Sequence, residues 1–140
     1  KKDFIKIQKI LNKISTIVLP NIEEAEILAN MKISTLEDLK VASRTITQSN
    51  KNTILIKGLI CRDKLIMDLL YENKNYYKFQ YKKSYKREIH GTGCTLSSAV
   101  AFYLAKGLEV KSSIKFSKKY LSKITKKPLD FVLDNNPMKH

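Results

Sequence analysis

Two short apolar runs constrain this chain most. "TIVLPN" at 16–21 and "NTILIKG" at 52–58 are rich in β-branched residues and lack polar alternation. Such runs read as strands buried on both faces. Pro20-Asn21 stops the first, because proline cannot continue a central strand. Lys57-Gly58 ends the second. Helical patterns lie between them. "IEEAEILAN" follows Asn21, a good N-cap, and carries acids in its first turn. "STLEDLK" opens another helix, with Ser34 or Thr35 as cap and Glu37 and Asp38 in the first turn. Strand, helices, strand predicts an α/β fold, a three-layer arrangement around a mostly parallel central sheet with right-handed crossovers.

The rest of the chain fits that scheme. Ile7, Ile10, Leu11 and Ile14 predict a helix over 4–14. "KLIMDLLYE" and "NYYKFQY" read as strands joined by a turn around 72–75, hence a hairpin. A helix is expected from Cys94 to Lys106, with Leu96, Val100, Tyr103 and Leu104 on one face and Gly107 as its stop. A last amphipathic helix lies within 109–127, followed by an irregular tail. No internal repeat or linker divides the sequence, so 1–140 reads as a single domain. In α/β sheets ligands bind beyond the carboxyl ends of the strands. Asn21 and Lys57-Gly58 are expected at strand ends and 90–94 at a helix start, so the three would converge on one edge.

Composition narrows the partners. The net charge is +14, with 27 Lys+Arg against 13 Asp+Glu. The lysines are dispersed and no arginine cluster stands out, which argues against nucleic acid as the main partner. "YYKFQYKKSYK" is the one basic, aromatic stretch that would suit it. No apolar run approaches the ~20 residues needed to span a bilayer, and "KKDFIKIQKILNKI" lacks the features of a secretory signal. The two cysteines, Cys61 and Cys94, form no CxxC and no zinc spacing. Free thiols fit a reducing, cytoplasmic compartment.

Three segments carry chemistry. "HGTGC" at 90–94 spends two of the four glycines around one threonine. Gly91 and Gly93 would let the backbone turn sharply. Thr92, Gly93, Cys94 and Thr95 would then aim N–H groups outward at a helix N-terminus, which holds an anion. An ordinary glycine-rich turn reads the same way, and a short glycine motif alone leaves both open. Cys94 is either a reactive thiol in that mouth or a buried structural cysteine. Cys61 has no such setting. Asn21 and Glu24, three apart, suit a magnesium ion beside nucleotide phosphates. A capped acidic first turn is the commoner local meaning. Lys57 is a mobile charge able to reach phosphate, or one lysine among many.

Taken together, "VLPNIEEAEIL", "ILIKG", "IMDLLYE", "HGTGCTLSSAVAFYLAKG" and "NNPMKH" resemble the ribokinase superfamily. They are most similar to the C-terminal portion of hydroxymethylpyrimidine/phosphomethylpyrimidine kinases of thiamin biosynthesis. The resemblance implies transfer of the γ-phosphoryl group of ATP to hydroxymethylpyrimidine and then to its monophosphate. It implies an anion hole at Gly91, Thr92, Gly93 and Cys94, with Cys94 where most of the superfamily has an aspartate base. It implies Asn21 and Glu24 organising Mg2+ and phosphate, Lys57 and Gly58 beside the nucleotide, and Thr92 near its phosphates. Leu59 and Ile60 depart from the family's Gly-His after "KG", and Ile89 from its threonine. Nothing matches the family's N-terminal glycine-rich stretch, so 1–140 is expected to be a partial ribokinase-like domain. Such a chain is expected to self-associate, and to be inactive or impaired, without a complementary N-terminal portion. A pyridoxal or pyridoxine kinase of the same superfamily and a basic nucleic-acid-binding module remain the alternatives.

Overall fold

The computed structural model describes residues 14–47, 53–61, 65–82 and 91–125, together with Lys6 and Ile10. The chain divides into two compact units, Lys1–Lys82 and Lys83–His140. The expected helix over 4–14, His90 and the tail beyond Thr125 lie wholly or mostly outside the described residues.

The first unit runs β1 (Ile17–Val18), α1 (Ile22–Ala29), α2 (Leu36–Thr47), β2 (Thr53–Ile60), β3 (Leu65–Glu72), β4 (Asn75–Lys82). The strands form one sheet in the order β1-β2-β3-β4. β1 and β2 pair in parallel, and α1 and α2 form the crossover between them. β2 with β3 and β3 with β4 pair antiparallel. The α/β expectation holds, but the described sheet is mixed rather than mostly parallel. The physical reason is connection length: the links after β2 and β3 are a few residues, too short for the crossover a parallel neighbour requires.

Helix starts follow local chemistry. Thr35 Oγ1 accepts the Asp38 N–H at 3.1 Å, and Asp38 Oδ2 accepts the Thr35 N–H at 2.8 Å, so each residue caps the other's backbone. Ala25, Ala29, Leu39 and Ala42 from the helices pack against Ile54, Ile56, Leu59, Met67 and Leu69 from the sheet. Alternation along β2 would place residue 58 on that face after 54 and 56. The register instead shifts between Ile56 and Leu59, and Leu59 takes the core position opposite Met67. The expected hairpin is present. Asn73 and Lys74 both have positive φ (48° and 65°), the two-residue turn whose twist matches its strands.

The second unit contains α3 (Thr92–Ala105) and α4 (Val110–Ile124), packed on one another. α3 starts two residues earlier than the periodicity predicts, and its Leu96 and Val100 are buried as expected. It stops where Gly107 and Leu108 return their N–H groups to the carbonyls of Leu104 and Tyr103 at 2.9 and 3.2 Å. α4 buries Ser113, Ile114 and Ser117, and the Ser117 hydroxyl donates to the Ser113 carbonyl at 2.7 Å. Small residues there let the helices approach, while Tyr103 and Phe116 stack with ring centroids 5.6 Å apart. Among the described residues no helix is long and apolar enough to cross a membrane.

Candidate functional site

β1 delivers Pro20 and Asn21 to the start of α1. Asn21 is extended, and its Oδ1 accepts the Glu24 N–H at 2.8 Å. Glu24 Oε2 accepts the Asn21 N–H at 2.9 Å, which completes a capping box. The same corner meets β2. Lys57 donates its N–H to the Pro20 carbonyl at 2.9 Å, and Asn21 and Lys57 form a parallel bridge. Two segments distant in sequence thus lie side by side.

One placement differs from expectation. Lys57-Gly58 does not end β2, which continues to Ile60. Between the pairs Ile56↔Leu69 and Leu59↔Met67, Lys57 and Gly58 together oppose Asp68, so the pair forms a β-bulge. Gly58 has φ +96°, a conformation costly for any residue with a Cβ, yet no atom stands within 4 Å of where a Cβ would be. Backbone geometry, not crowding, therefore calls for glycine, and the open side leaves the peptide accessible. Asp68, only 1% exposed, accepts the Gly58 N–H on Oδ1 at 2.8 Å and the Tyr81 hydroxyl at 3.4 Å. Sequence patterning alone does not single out Asp68. Its signal was an acid inside the apolar run "LIMDLLY".

The donor set bears on magnesium. Asn21 Oδ1 and Glu24 Oε2 are both engaged in the capping box, which leaves Glu24 Oε1 as the side-chain oxygen outside it. Both residues are exposed. Magnesium commonly keeps most of its water and takes one or two carboxylates plus substrate phosphates. The pair fits that hydrated mode. Among the described residues no group of three or more His, Cys, Asp or Glu side chains could hold a metal ion.

The remaining predicted residues belong to the second unit. Gly91, at φ +90°, turns the chain into α3. The first intrahelical bond runs from the Thr95 N–H to the Gly91 carbonyl at 2.9 Å. The helix therefore offers no carbonyl to the N–H groups of Thr92, Gly93 and Cys94, which sit at its positive end. Gly93 and Cys94 are exposed, so Cys94 is not a buried structural cysteine. It borders an open cleft of about 510 Å³ lined by Thr95, Ser98, Phe102, Tyr103 and Tyr120.

The α/β fold is that of ribokinase-like kinases, a class of phosphotransferases. A pyridoxal kinase from Bacillus subtilis, solved as an ADP complex, matches 96% of this chain with a TM-score of 0.85 and 28% identity. A phosphomethylpyrimidine kinase from Clostridium difficile matches 84% with a TM-score of 0.67 and 32% identity. The sequence model of the phosphomethylpyrimidine kinase family matches residues 1–139, and the chain belongs to that family. A hydroxymethylpyrimidine/phosphomethylpyrimidine kinase from Aquifex aeolicus is 32% identical over 114 residues, 81% of this chain and 45% of the relative. The chain spans about half the length of the relatives it matches.

Proposed function

We propose that this chain carries the phosphate-handling part of an ATP-dependent hydroxymethylpyrimidine/phosphomethylpyrimidine kinase, both units belonging to one partial ribokinase-like domain. The observation that carries it is the start of α3, where three backbone N–H groups precede the first intrahelical bond. Gly91, Thr92, Gly93 and Cys94 form the anion hole for the transferring group. Lys57 and Gly58 lie beside the nucleotide. Asn21 and Glu24 would hold a hydrated magnesium ion, which would neutralise phosphate charge.

In the first transfer the acceptor hydroxyl oxygen bonds to the γ-phosphorus, the bond to the bridging oxygen breaks, and ADP leaves. The hydroxyl proton passes to water. In the second transfer the nucleophile is a phosphate oxygen, already ionised, so little base strength is needed. Positioning and charge stabilisation then dominate. A cysteine at 94 suits that step, because an aspartate there would repel the incoming anion.

The acceptor has a second candidate. The 0.85 TM-score against a pyridoxal kinase favours pyridoxal or pyridoxine as acceptor on fold likeness. An ATP-dependent phosphorylation assay separates the two. The chain is supplied with hydroxymethylpyrimidine, its monophosphate or pyridoxal, alone and together with the amino-terminal portion of a relative. Transfer to both pyrimidines with that portion present is the expected result. Transfer to pyridoxal alone selects the second acceptor. Salt-sensitive retention on RNA or DNA with no transfer would overturn the kinase assignment.

A further inference from the structure

Resting on that assignment, we propose that Asp68 is the positioning residue for the Lys57-Gly58 bulge, and through it for the nucleotide. The bulge leaves Gly58 outside the β2–β3 ladder. A backbone N–H without a ladder partner needs another acceptor. Asp68 supplies it from directly across the bulge, at 2.8 Å. Its own burial demands the reverse, since a buried carboxyl group is costly unless it is hydrogen-bonded. Tyr81 Oη, 3.4 Å from the same Oδ1, approaches from β4. Side-chain parity agrees: Asp68 pairs with Phe79, so Tyr81 lies two residues along on the same sheet face.

The bulge has two effects at once. It returns Leu59 to the core and presents the Lys57-Gly58 peptide beside Asn21. A hydrophobic residue at 68 would keep a strand at β3 but would leave the Gly58 N–H unheld. Asp68 therefore acts on the nucleotide through Gly58 and Lys57, without touching it.

The test uses the full 140-residue chain, with Asp68→Ala, Asp68→Asn and Asp68→Glu. Amide hydrogen exchange at Gly58 is read against Ile54 and Ile56, and Mg·ATP affinity is read by calorimetry. Asp68→Ala is expected to speed Gly58 exchange by about tenfold or more relative to its neighbours and to raise the ATP Kd by about tenfold, the size of a lost hydrogen bond. Asp68→Asn keeps an acceptor oxygen in place and restores both. Asp68→Glu displaces that oxygen while keeping a carboxyl group, behaves like Asp68→Ala, and serves where Asp68→Ala does not fold. Unchanged Gly58 exchange in both displaced variants, unchanged ATP affinity, or an Asp68→Asn variant as impaired as Asp68→Ala would each overturn the proposal. A parent chain that binds no nucleotide even with the amino-terminal portion of a relative present would instead overturn the kinase assignment, and the positioning role with it. The two failures are distinguishable because the second appears before any substitution is made.

Discussion

Asn21 and Lys57 are bridged in parallel, with the Lys57 N–H bonded to the Pro20 carbonyl at 2.9 Å. The bridge ties the start of α1 to the bulge of β2. It extends the pairing of β1 and β2 past the two residues that each register fixes. A change at either segment is therefore felt at the other.

The capping box separates structure from chemistry at Asn21 and Glu24. Asn21→Ala removes the side-chain acceptor for the Glu24 N–H and is expected to destabilise the chain by about 1 kcal/mol. Glu24→Gln keeps an oxygen for the Asn21 N–H and removes only the charge. Urea unfolding should show Glu24→Gln near the parent, while its magnesium-dependent ATP affinity falls.

Gly58→Ala tests the bulge. No atom blocks a Cβ, so the whole effect comes from φ +96°. The expected cost is about 1–2 kcal/mol, the penalty for a left-handed backbone at a non-glycine residue. A cost near zero in denaturant unfolding would show that the bulge relaxes easily.

Much of this corner was legible in the sequence because it is local. Asn21 followed by Glu24 announces a cap wherever the chain goes, and Asn73-Lys74 between two strand patterns announces a hairpin. Gly58 was misread as a strand end because glycine punctuates strands and bulges alike. Only the pairing of Lys57 and Gly58 against Asp68 distinguishes them, and pairing is a property of the partner strand. Asp68 escaped notice for the same reason: its acceptor role exists only in register with Gly58. The mixed sheet was legible in part: the hairpin made β3 and β4 antiparallel, and the short link after β2 asks the same of β3. "GTGC" was legible as a helix start, and its glycines and exposed Cys94 follow from that position.

Cys94 tests the second transfer. Cys94→Asp should slow phosphorylation of the monophosphate more than phosphorylation of the hydroxymethyl compound, because the new charge repels an anionic nucleophile. Cys94→Ser stays uncharged and should lower both by similar factors. Single-turnover assays on the two acceptors, with the amino-terminal portion of a relative present, measure the ratio. A Cys94→Asp chain that favours the second step would contradict the mechanism.

Asp38 predicts part of the acid response. The backbone N–H of Ser34, then the hydroxyl and N–H of Thr35, hold its carboxyl below the usual carboxylate range. A lowered folded value means that the stabilisation is present above the ordinary range of about 4. It is lost as pH falls through the lower folded value. Asp38→Asn should therefore flatten the stability profile between those limits and leave its shape near neutrality unchanged. A parent and variant with parallel profiles below pH 4 would contradict this.

Backbone amide shifts during Mg·ATP titration test the central claim most directly. The account predicts saturable movements at Thr92, Gly93 and Cys94, and at Lys57 and Gly58, all lost without magnesium. Shifts spread over the exposed lysines, fading with salt and sparing those five amides, would contradict it.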